Sequence, residues 1–258
     1  MKNKQPLISI VTVVYNGEQF LEKTIQSVIN QSYENIEYII IDGGSTDGTV
    51  DTIKKYEKKI DYWVSEKDGG IYDAMNKGIM AAHGEWVSFM NGGDEFFNRQ
   101  TIDNVFSAID ESAGLIYGDT EIHYKTFVRA RKADGLKRIK ERMPFGHQSM
   151  FVKTSVHKNN LYNTNYTICA DYDFVCTLYQ KNICFERVNL LISSCSTDGV
   201  SDIQSMERTQ QSAEIAYKHF PDVSIKFYHQ KNIVRNYIKF FFKRVLPSKI
   251  VEIIKRLK

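Results

Sequence analysis

The sequence predicts an α/β fold in which a mostly parallel sheet is flanked by helices. In the N-terminal part of the chain, short β-branched apolar runs alternate with segments whose apolar residues recur at helical spacing. Gly, Asn and Asp residues follow most of these runs, as is usual where strands end. The 258 residues are 42% hydrophobic and 25% charged, which excludes a disordered or collagen-like chain and allows a sizeable core.

Four strands and three helices are predicted in the first half of the chain. The strands are the apolar runs at residues 7–15, 36–41, 62–65 and 86–90. The helices cover residues 20–29, residues 72–82, and a stretch that the capping residues 45–47 open and that continues through Tyr56. Because strands that alternate with helices pair in parallel, both faces of the sheet should be covered.

The second half of the chain is less regular. Helices are predicted at residues 101–109 and 171–180, and from a capping box at residue 201 to about residue 220. Strands are predicted at residues 115–117, 148–152 and 190–195, with an antiparallel hairpin or an edge excursion at residues 121–131. No linker or repeat interrupts this order, so residues 1–221 should form one domain and residues 222–258 an extension.

Charge is distributed unevenly along the chain. The net charge is +3, from 34 Lys and Arg against 31 Asp and Glu, but residues 226–258 hold ten basic residues and one acidic residue. The body is therefore mildly acidic, and we expect the C-terminal extension to meet any anionic partner.

Membrane-spanning, secretory and zinc-binding classes are not supported. The sequence has no run of about 18 apolar residues for a transmembrane helix, and its N-terminal apolar stretch is too interrupted for a signal peptide. The four cysteines, Cys169, Cys176, Cys184 and Cys195, lack the close pairing of a zinc site. We therefore expect reduced thiols and a cytoplasmic protein.

Polar loops follow the four N-terminal strands. In open parallel sheets, ligands bind beyond the carboxyl ends of the strands, so these loops are where a site is expected. Each of them combines Asn or Asp with glycine: residues 15–17, 42–45, 66–70 and 91–94. Turn formation alone explains these residues about as well as ligand binding does.

The loops lack the glycine fingerprint of dinucleotide-binding sheets and the phosphate loop that ends in Gly-Lys-Ser/Thr. Asp94, after the fourth strand, offers another way to hold a diphosphate, because Mg²⁺ and Mn²⁺ bind one or two carboxylates together with substrate phosphates. Gly92 and Gly93 would let a diphosphate approach the backbone closely.

This part of the sequence resembles the family 2 glycosyltransferases of the GT-A fold. Residues 10–16 are similar to their opening strand, and residues 41–49 to their Asp-Asp-Gly-Ser-x-Asp-Gly-Thr loop. Residues 69–79 resemble the helix that follows, and residues 89–94 the variant of the metal motif that ends in Gly-Asp. The resemblance covers roughly the first hundred residues in order, and is closest to the branch that builds bacterial surface polysaccharides such as O-antigen or capsule.

The resemblance implies an inverting, metal-dependent transferase that uses a nucleotide-sugar, usually UDP-linked, with Mn²⁺ or Mg²⁺ on Asp94. It implies a catalytic domain with a nucleotide-sugar half, residues 1–98, and an acceptor half, residues 99–221. By position, Tyr15, Asn16 and Asp42 would lie by the base and ribose, and Lys67, Asp68, Gly70 and Asn76 would line the nucleotide-sugar pocket. Gly43 and Gly93 stand where many members have a second Asp, so ribose and metal contacts would be fewer here or would come from elsewhere in the chain.

The resemblance also places a catalytic base at the start of the helix predicted at residues 171–180. Family members have an Asp there, often after a Glu, and this sequence has Asp171 after Ala170. An Asp at a helix N-terminus is ionised and faces outward, as a base for an acceptor hydroxyl must. The alternatives are Asp171 as an ordinary N-cap and Asp173 as the base. In the implied mechanism, Asp171 takes the hydroxyl proton while the metal on Asp94 neutralises the departing diphosphate.

Two further segments are similar to parts of the family. Residues 145–149 resemble a segment that borders the acceptor or the diphosphate, where His147 would contact the leaving group unless it is a structural histidine. Residues 198–201 resemble a loop near the active site, and their alternative is a turn before a capped helix.

The C-terminal extension mixes aromatic and aliphatic residues with regularly placed Lys and Arg, which suits a helix in a membrane interface. The alternative is a helix packed on the domain with a solvated basic face; nucleic-acid binding has no supporting motif. The membrane interpretation implies a polyprenyl-diphosphate-linked saccharide acceptor. It also implies a peripheral protein on the inner face of the bacterial plasma membrane.

Two other functions compete with this one. A sugar-phosphate nucleotidyltransferase would need a Gly-x-Gly-Thr/Ser-Arg loop after the first strand, and the sequence lacks it. A degenerate nucleotide-binding scaffold for partner transferases is also compatible with the sequence, because Gly43, Gly93 and Ala170 stand where family members often have acidic residues.

Overall fold

The computed structural model describes residues 5–109, 112–124, 126–196 and 205–245. The strands are β1 (Ile8–Val14), β2 (Ile36–Asp42), β3 (Tyr62–Ser65), β4 (Trp86–Phe89), β5 (Glu95–Phe96), β6 (Leu115–His123), β7 (Val128–Arg131), β8 (Met150–Lys153) and β9 (Phe185–Ser196). The helices are α1 (Leu21–Ile29), α2 (Thr49–Lys55), α3 (Ile71–Ala81), α4 (Thr101–Ser107), α5 (Thr154–Lys158), α6 (Ala170–Gln180), α7 (Ser205–His219) and α8 (Val223–Val245).

The described strands form one nine-stranded sheet in the order β3-β2-β1-β4-β8-β6-β9-β5, with β7 paired to β6. Strands β1 to β4 are parallel to one another, and β6 is parallel to β9. Strand β8 runs antiparallel to both β4 and β6, so it joins the two parallel groups. The predicted fold class, a mostly parallel sheet flanked by helices, is confirmed.

The parallel half follows from the alternation of side chains along β1 and β2. Val11 and Ile39 pack on one face of the sheet, against Met75 of α3. Ile10 and Ile40 belong to the apolar layer on the other face. Because successive side chains of a strand point to opposite faces, a strand covered on both sides is apolar throughout. This explains why β1 and β2 have apolar residues at most successive positions and do not alternate strictly between polar and apolar ones.

All the predicted elements of the first half are present. Most of their ends lie within one or two residues of the predicted positions. In the second half, the end of β6 pairs antiparallel with β7, from Thr120 opposite Arg131 to His123 opposite Val128, within the segment predicted as a hairpin or edge excursion. Strand β9 begins at Phe185, earlier than predicted, because it pairs with β6 along its length. Helix α5 and strand β5 were not predicted, since five and two residues are too short to show a period.

Helices α7 and α8 pack on each other and on the domain. The Asn236 side chain donates to the Thr209 hydroxyl at 2.7 Å, and Gln180 of α6 donates to the His219 carbonyl at 2.7 Å. His229 of α8 is buried, with Nε2 3.3 Å from the Lys140 carbonyl. The predicted boundary at residue 221 falls just before α8, and the division of the chain there stays a prediction. Among the described residues, no helix has the length and apolar character needed to cross a bilayer.

Candidate active site

Asp42 ends β2 and is fully buried beneath the loop that follows it. Its carboxylate accepts hydrogen bonds from the Ser45 N–H at 2.9 Å, the Ser45 hydroxyl at 2.5 Å and the Ser65 hydroxyl at 2.6 Å. These bonds join the loop that follows β2 to the last residue of β3. Asp42 therefore fixes this loop, and its place by the base and ribose stays a prediction.

Asn16 follows β1 in a left-handed backbone conformation, with φ of 49°. Its N–H donates to the Ser45 hydroxyl at 2.7 Å, and its Oδ1 accepts from the Thr46 N–H at 2.9 Å. Tyr15 next to it is 63% exposed. The β1 and β2 loops are thus tied together, with an open aromatic ring at their edge on which a nucleobase can stack.

The loop after β3 carries Lys67, Asp68 and Gly70. Lys67 is exposed, and Asp68 accepts from the Gly70 N–H at 2.9 Å, where Gly70 has φ of 114°. A Cβ on Gly43 would lie 2.6 Å from Asp68 Oδ2. Gly43 therefore leaves room for the Asp68 carboxylate beside the β2 loop, and an Asp at position 43 would displace it.

Asn76 is partly buried on α3. Its Nδ2 donates to the Tyr162 carbonyl at 2.9 Å, and its Oδ1 accepts from the Tyr162 N–H at 2.9 Å. The pair joins α3 to the segment between α5 and α6. Its observed contacts are structural, and its place in the nucleotide-sugar pocket stays a prediction.

Asp94 follows β4 in a recess of the sheet edge. Its Oδ2 accepts a hydrogen bond from Gln148 Nε2 at 2.9 Å, and the preceding Gly93 has φ of 98°. Burial raises the pKa of Asp94 to about 7, although the bond from Gln148 opposes the shift. The recess therefore disfavours an unpaired negative charge on this carboxylate.

Asp171 lies in the first turn of α6. Its Oδ1 accepts from the Tyr172 N–H at 2.9 Å and stands 3.2 Å from the Tyr72 hydroxyl, which also donates to the Ile168 carbonyl at 2.5 Å. Burial, followed by the charge of Asp171, raises the pKa of Tyr72, so its hydroxyl stays a donor. The bond from the Tyr172 N–H fixes the Asp171 side chain at the start of α6.

Asp173, the second choice of base, has different surroundings. It is buried, and its Oδ1 is 2.7 Å from His219 Nε2 and 2.9 Å from Lys218 Nζ. Burial raises the pKa of Asp173, but the bonds from His219 and Lys218 together lower it by more. The net shift of this pKa is therefore downward. This carboxylate links α6 to α7, which favours Asp171 as the residue available to a substrate.

His147 lies between Asn91 and Asp171. Its Nε2 is 3.0 Å from Asn91 Nδ2, and its Nδ1 is 3.8 Å from Asp171 Oδ2. Burial lowers the pKa of His147, and the charge of Asp171 partly opposes the shift. The structure therefore brings His147 to the predicted base, a neighbour that the sequence did not suggest.

A divalent cation fits the chemistry of the Asp94 loop. The loop offers the Asp94 carboxylate and the side-chain oxygen of Asn91, which is buried and has no hydrogen-bond partner among the described residues. Mg²⁺ and Mn²⁺ prefer such oxygen ligands and take the rest from phosphates and water. No group of three or more His, Cys, Asp or Glu side chains could hold a metal in the described part of the chain, and none of the four cysteines forms a disulfide.

Two residues of this site were not singled out in the sequence. Gln148 lies in a segment that resembles the family, but only the fold shows that its amide meets Asp94. Tyr72 reads as an apolar position of α3, and nothing in the sequence indicates its hydroxyl beside Asp171. The loop at residues 198–201, predicted to lie near the active site, is outside the described residues.

The family model for "Glycosyl transferase family 2" matches residues 9–184. The chain is also 32% identical over 184 residues to an uncharacterized glycosyltransferase of Mycobacterium tuberculosis, with 66% of this chain and 68% of that protein covered. This chain belongs to glycosyltransferase family 2. The predicted family and the prediction of an enzyme are confirmed.

Other relatives carry more specific names. A PGL/p-HBAD biosynthesis glycosyltransferase of Mycobacterium bovis is 30% identical over 175 residues, with 66% of this chain and 68% of that protein covered. The putative teichuronic acid biosynthesis glycosyltransferase TuaG of Bacillus subtilis is 38% identical over 99 residues, with 37% of this chain and 39% of TuaG covered.

Solved structures confirm the GT-A fold expected for the family. The mannosyltransferase PcManGT of Pyrobaculum calidifontis, in complex with GDP-Man and Mn²⁺, matches with a TM-score of 0.67 at 14% identity, covering 90% of this chain and 70% of that one. S. aureus TarS 1–349 in complex with UDP-GlcNAc matches with a TM-score of 0.66 at 16% identity, covering 94% and 77%. The chain covers 44% of a longer TarS structure. The roles of individual site residues stay predictions.

Proposed function

We propose that this glycosyltransferase moves a sugar from a nucleotide-sugar, with inversion at the anomeric carbon, to a hydroxyl of a lipid-linked saccharide. The observation that carries the proposal is that two carboxylates from distant parts of the chain each lie beside one of two consecutive residues, His147 and Gln148. Asp94 contacts Gln148, and Asp171 lies 3.8 Å from the preceding residue, His147. One carboxylate can hold a cation while the other stays free to accept a proton.

Asp171 would act as the base. Its Oδ1 has the Tyr172 N–H and the Tyr72 hydroxyl close by, whereas Oδ2 lies 3.8 Å from His147 Nδ1, beyond hydrogen-bond distance, and would receive the acceptor proton. As the hydroxyl oxygen bonds to the anomeric carbon, the bond to the diphosphate breaks on the opposite face, and configuration inverts.

Asp94 would hold Mn²⁺ or Mg²⁺ against the donor diphosphate. When bound, the cation neutralises the charge that develops on the leaving diphosphate. The nucleobase and ribose would lie over Tyr15 and the loop that Asp42 supports. PcManGT with GDP-Man and Mn²⁺ supports a nucleotide-sugar with a divalent cation, and TarS with UDP-GlcNAc supports a UDP-linked donor.

The acceptor proposal rests on the relatives and on α8. The relatives named for PGL/p-HBAD and teichuronic acid biosynthesis support a role in building a bacterial surface glycan. Such a glycan grown on a polyprenyl diphosphate would present its hydroxyls at the membrane, so the enzyme would work peripherally on the inner face of the plasma membrane.

Helix α8 has a surface suited to that position. Val223, Phe227, Val234 and Ile238 are each at least half exposed, from 50% to 69%. At about 100° per residue they fall in one stripe, and Lys226 and Lys231 fall on its two sides. An exposed apolar stripe between two rows of cations is the pattern of a helix that lies in an anionic lipid interface.

A donor screen tests the proposal. The purified chain is incubated with a panel of nucleotide-sugars and Mn²⁺, and thermal stabilisation and the release of nucleoside diphosphate are measured. We expect one donor class to stabilise the protein and to be turned over with release of nucleoside diphosphate. Release of pyrophosphate would indicate a nucleotidyltransferase, and donor binding without turnover in the presence of lipid-linked acceptors would indicate a scaffold.

A further inference from the structure

In the short 3-10 helix His147–Ser149, each of three consecutive polar side chains contacts a different set of residues. His147 lies between Asn91 and Asp171, Gln148 bonds to Asp94, and Ser149 lies in a cluster of buried hydroxyls. A single turn of chain therefore contacts the surroundings of both functional carboxylates.

Ser149 fixes this turn to the sheet. Its side-chain oxygen is 2.7 Å from the Thr120 hydroxyl, 2.6 Å from the Ser193 hydroxyl and 3.0 Å from the Asp119 carbonyl. Ser149, Thr120 and Ser193 are all buried. Since buried hydrogen-bonded groups are costly to separate, the turn is held against β6 and β9 and has little freedom to move.

Gln148 determines how Asp94 presents its oxygens. The bond from Nε2 to Oδ2 sets the plane of the carboxylate and leaves Oδ1 as the oxygen for a cation. Gln148 does not titrate, so it holds the carboxylate without adding a charge that would compete with a cation. In metal sites, such partners of a ligand fix its orientation and affect metal affinity.

The hydrogen-bond partner of His147 determines which of its ring nitrogens carries the proton. Asn91 Nδ2 donates to Nε2, so a neutral ring carries its proton on Nδ1. Nδ1 faces Asp171 Oδ2 at 3.8 Å. His147 therefore stands between Asn91 and the predicted base, with its Nδ1 on the side of Asp171.

We propose that His147 and Gln148 are positioning residues that set the geometry of the two carboxylates from one anchored turn. Gln148 orients Asp94 toward the cation, and His147 orients Asp171 toward the acceptor hydroxyl. This inference rests on the proposed function. Its consequence is that the distance between the cation and the base is fixed by adjacent residues of the chain and does not depend on donor or acceptor binding.

The two residues should fail in different ways. In Gln148→Ala, we expect the affinity for Mn²⁺ in the presence of UDP, measured by calorimetry, to fall about 10- to 100-fold. In His147→Ala, we expect that affinity to fall less than in Gln148→Ala, because Asn91 loses its contact with the ring but Asp94 keeps its bond from Gln148, while kcat falls about 10- to 100-fold with the donor KM unchanged. His147→Asn should recover part of kcat, because its amide N–H can replace the Nδ1–H.

Matched controls separate positioning from general damage. Gln100→Ala and His83→Ala remove the same side chains from exposed positions away from the site, and both should match the parent. Thermal melting checks that every variant is folded. Mn²⁺ affinity unchanged in Gln148→Ala, or kcat unchanged in His147→Ala, would overturn the assignment of that residue. Asp94→Asn and Asp171→Asn, measured alongside, show whether the proposed function itself fails, because full activity in both would contradict it.

Discussion

Asp94 and Asp171 are both aspartates at one site, yet their surroundings suit different tasks. Asp94 lies in a recess where burial raises its pKa to about 7, and only Gln148 donates to it among the bonds described. Asp171 has a backbone N–H and the N-terminus of α6 to support its charge. A cation stabilises the charge of a carboxylate whose pKa is raised by burial. A carboxylate that already accepts a backbone N–H at a helix N-terminus can stay free to accept a proton.

The metal role of Asp94 leads to a first prediction. Asp94→Asn keeps the size of the side chain and removes its charge, so Mn²⁺ should no longer strengthen UDP binding. Calorimetric titrations of UDP with and without Mn²⁺ measure this directly. An unchanged Mn²⁺-dependent gain in affinity would show that the cation binds elsewhere.

A second prediction concerns the base. Asp171→Asn should bind the donor with the parent's affinity, because the change lies on the acceptor side, but should lose about 100-fold or more in transfer rate. Steady-state kinetics with a fixed donor, together with donor titration, separate the two effects. If Asp171→Asn transferred sugar at the parent's rate and Asp173→Asn lost its transfer activity, the base would be Asp173.

At the scale of elements, α5 and α6 meet through a buried aromatic cluster. The His157 ring stacks on Phe174 at 4.3 Å and makes edge contacts with Tyr162 at 5.0 Å and Phe89 at 5.9 Å. Neither ring nitrogen of His157 has a hydrogen-bond partner among the described residues, and burial lowers its pKa to about 3. This histidine is a core residue that must stay neutral.

A third prediction is that His157 makes the fold acid-sensitive. Between the unfolded pKa of about 6.5 and the folded pKa of about 3, the unfolded chain binds a proton that the folded chain does not, so stability falls as pH falls. His157→Phe should remove about 2 kcal/mol of the loss between pH 6.5 and pH 5. Urea unfolding at these two pH values tests it. Equal losses in parent and variant would contradict the assignment.

The apolar stripe of α8 gives a fourth prediction. Phe227→Ser with Val234→Ser, or Lys226→Glu with Lys231→Glu, should reduce cosedimentation with phosphatidylglycerol vesicles, and added salt should weaken binding of the parent. Met80→Ser and Lys58→Glu change residues of the same kinds, exposed elsewhere on the surface, and should bind as the parent does. If the α8 variants sediment with the vesicles as the parent does, the stripe is not a membrane-binding surface.

At the scale of the whole molecule, the parallel strands β1 to β4 and helix α6 supply different parts of the site. The loops after β1, β2 and β3 form the surface proposed for the nucleotide, whereas Asp171 comes from α6, far along the chain. Strand β8 joins the two groups of parallel strands, and the turn His147–Ser149 directly precedes it. The position of β8 in the sheet thus brings that turn to the carboxylate recess at the end of β4.

The N-terminal half of the fold could be predicted because its signals are local. The apolar runs of β1 and β2 and the spacing of α1 and α3 depend on neighbours within a few residues. Asp171 could be placed at a helix start for the same reason. The bond from Gln148 to Asp94 and the pairing of Asp173 with α7 join residues far apart in sequence, and no local pattern encodes them. His157 belongs to a helix too short to show its buried face.

The account depends most directly on where a cation binds. A crystal of the chain grown with UDP and Mn²⁺, measured at the manganese absorption edge, would locate the ion. We predict one anomalous peak that bridges the Asp94 carboxylate and the UDP diphosphate, with the Gln148 bond to Asp94 intact and Asp171 free of metal. A peak on Asp171, or a bound UDP with its manganese away from Asp94, would contradict the proposed division of roles between the two carboxylates.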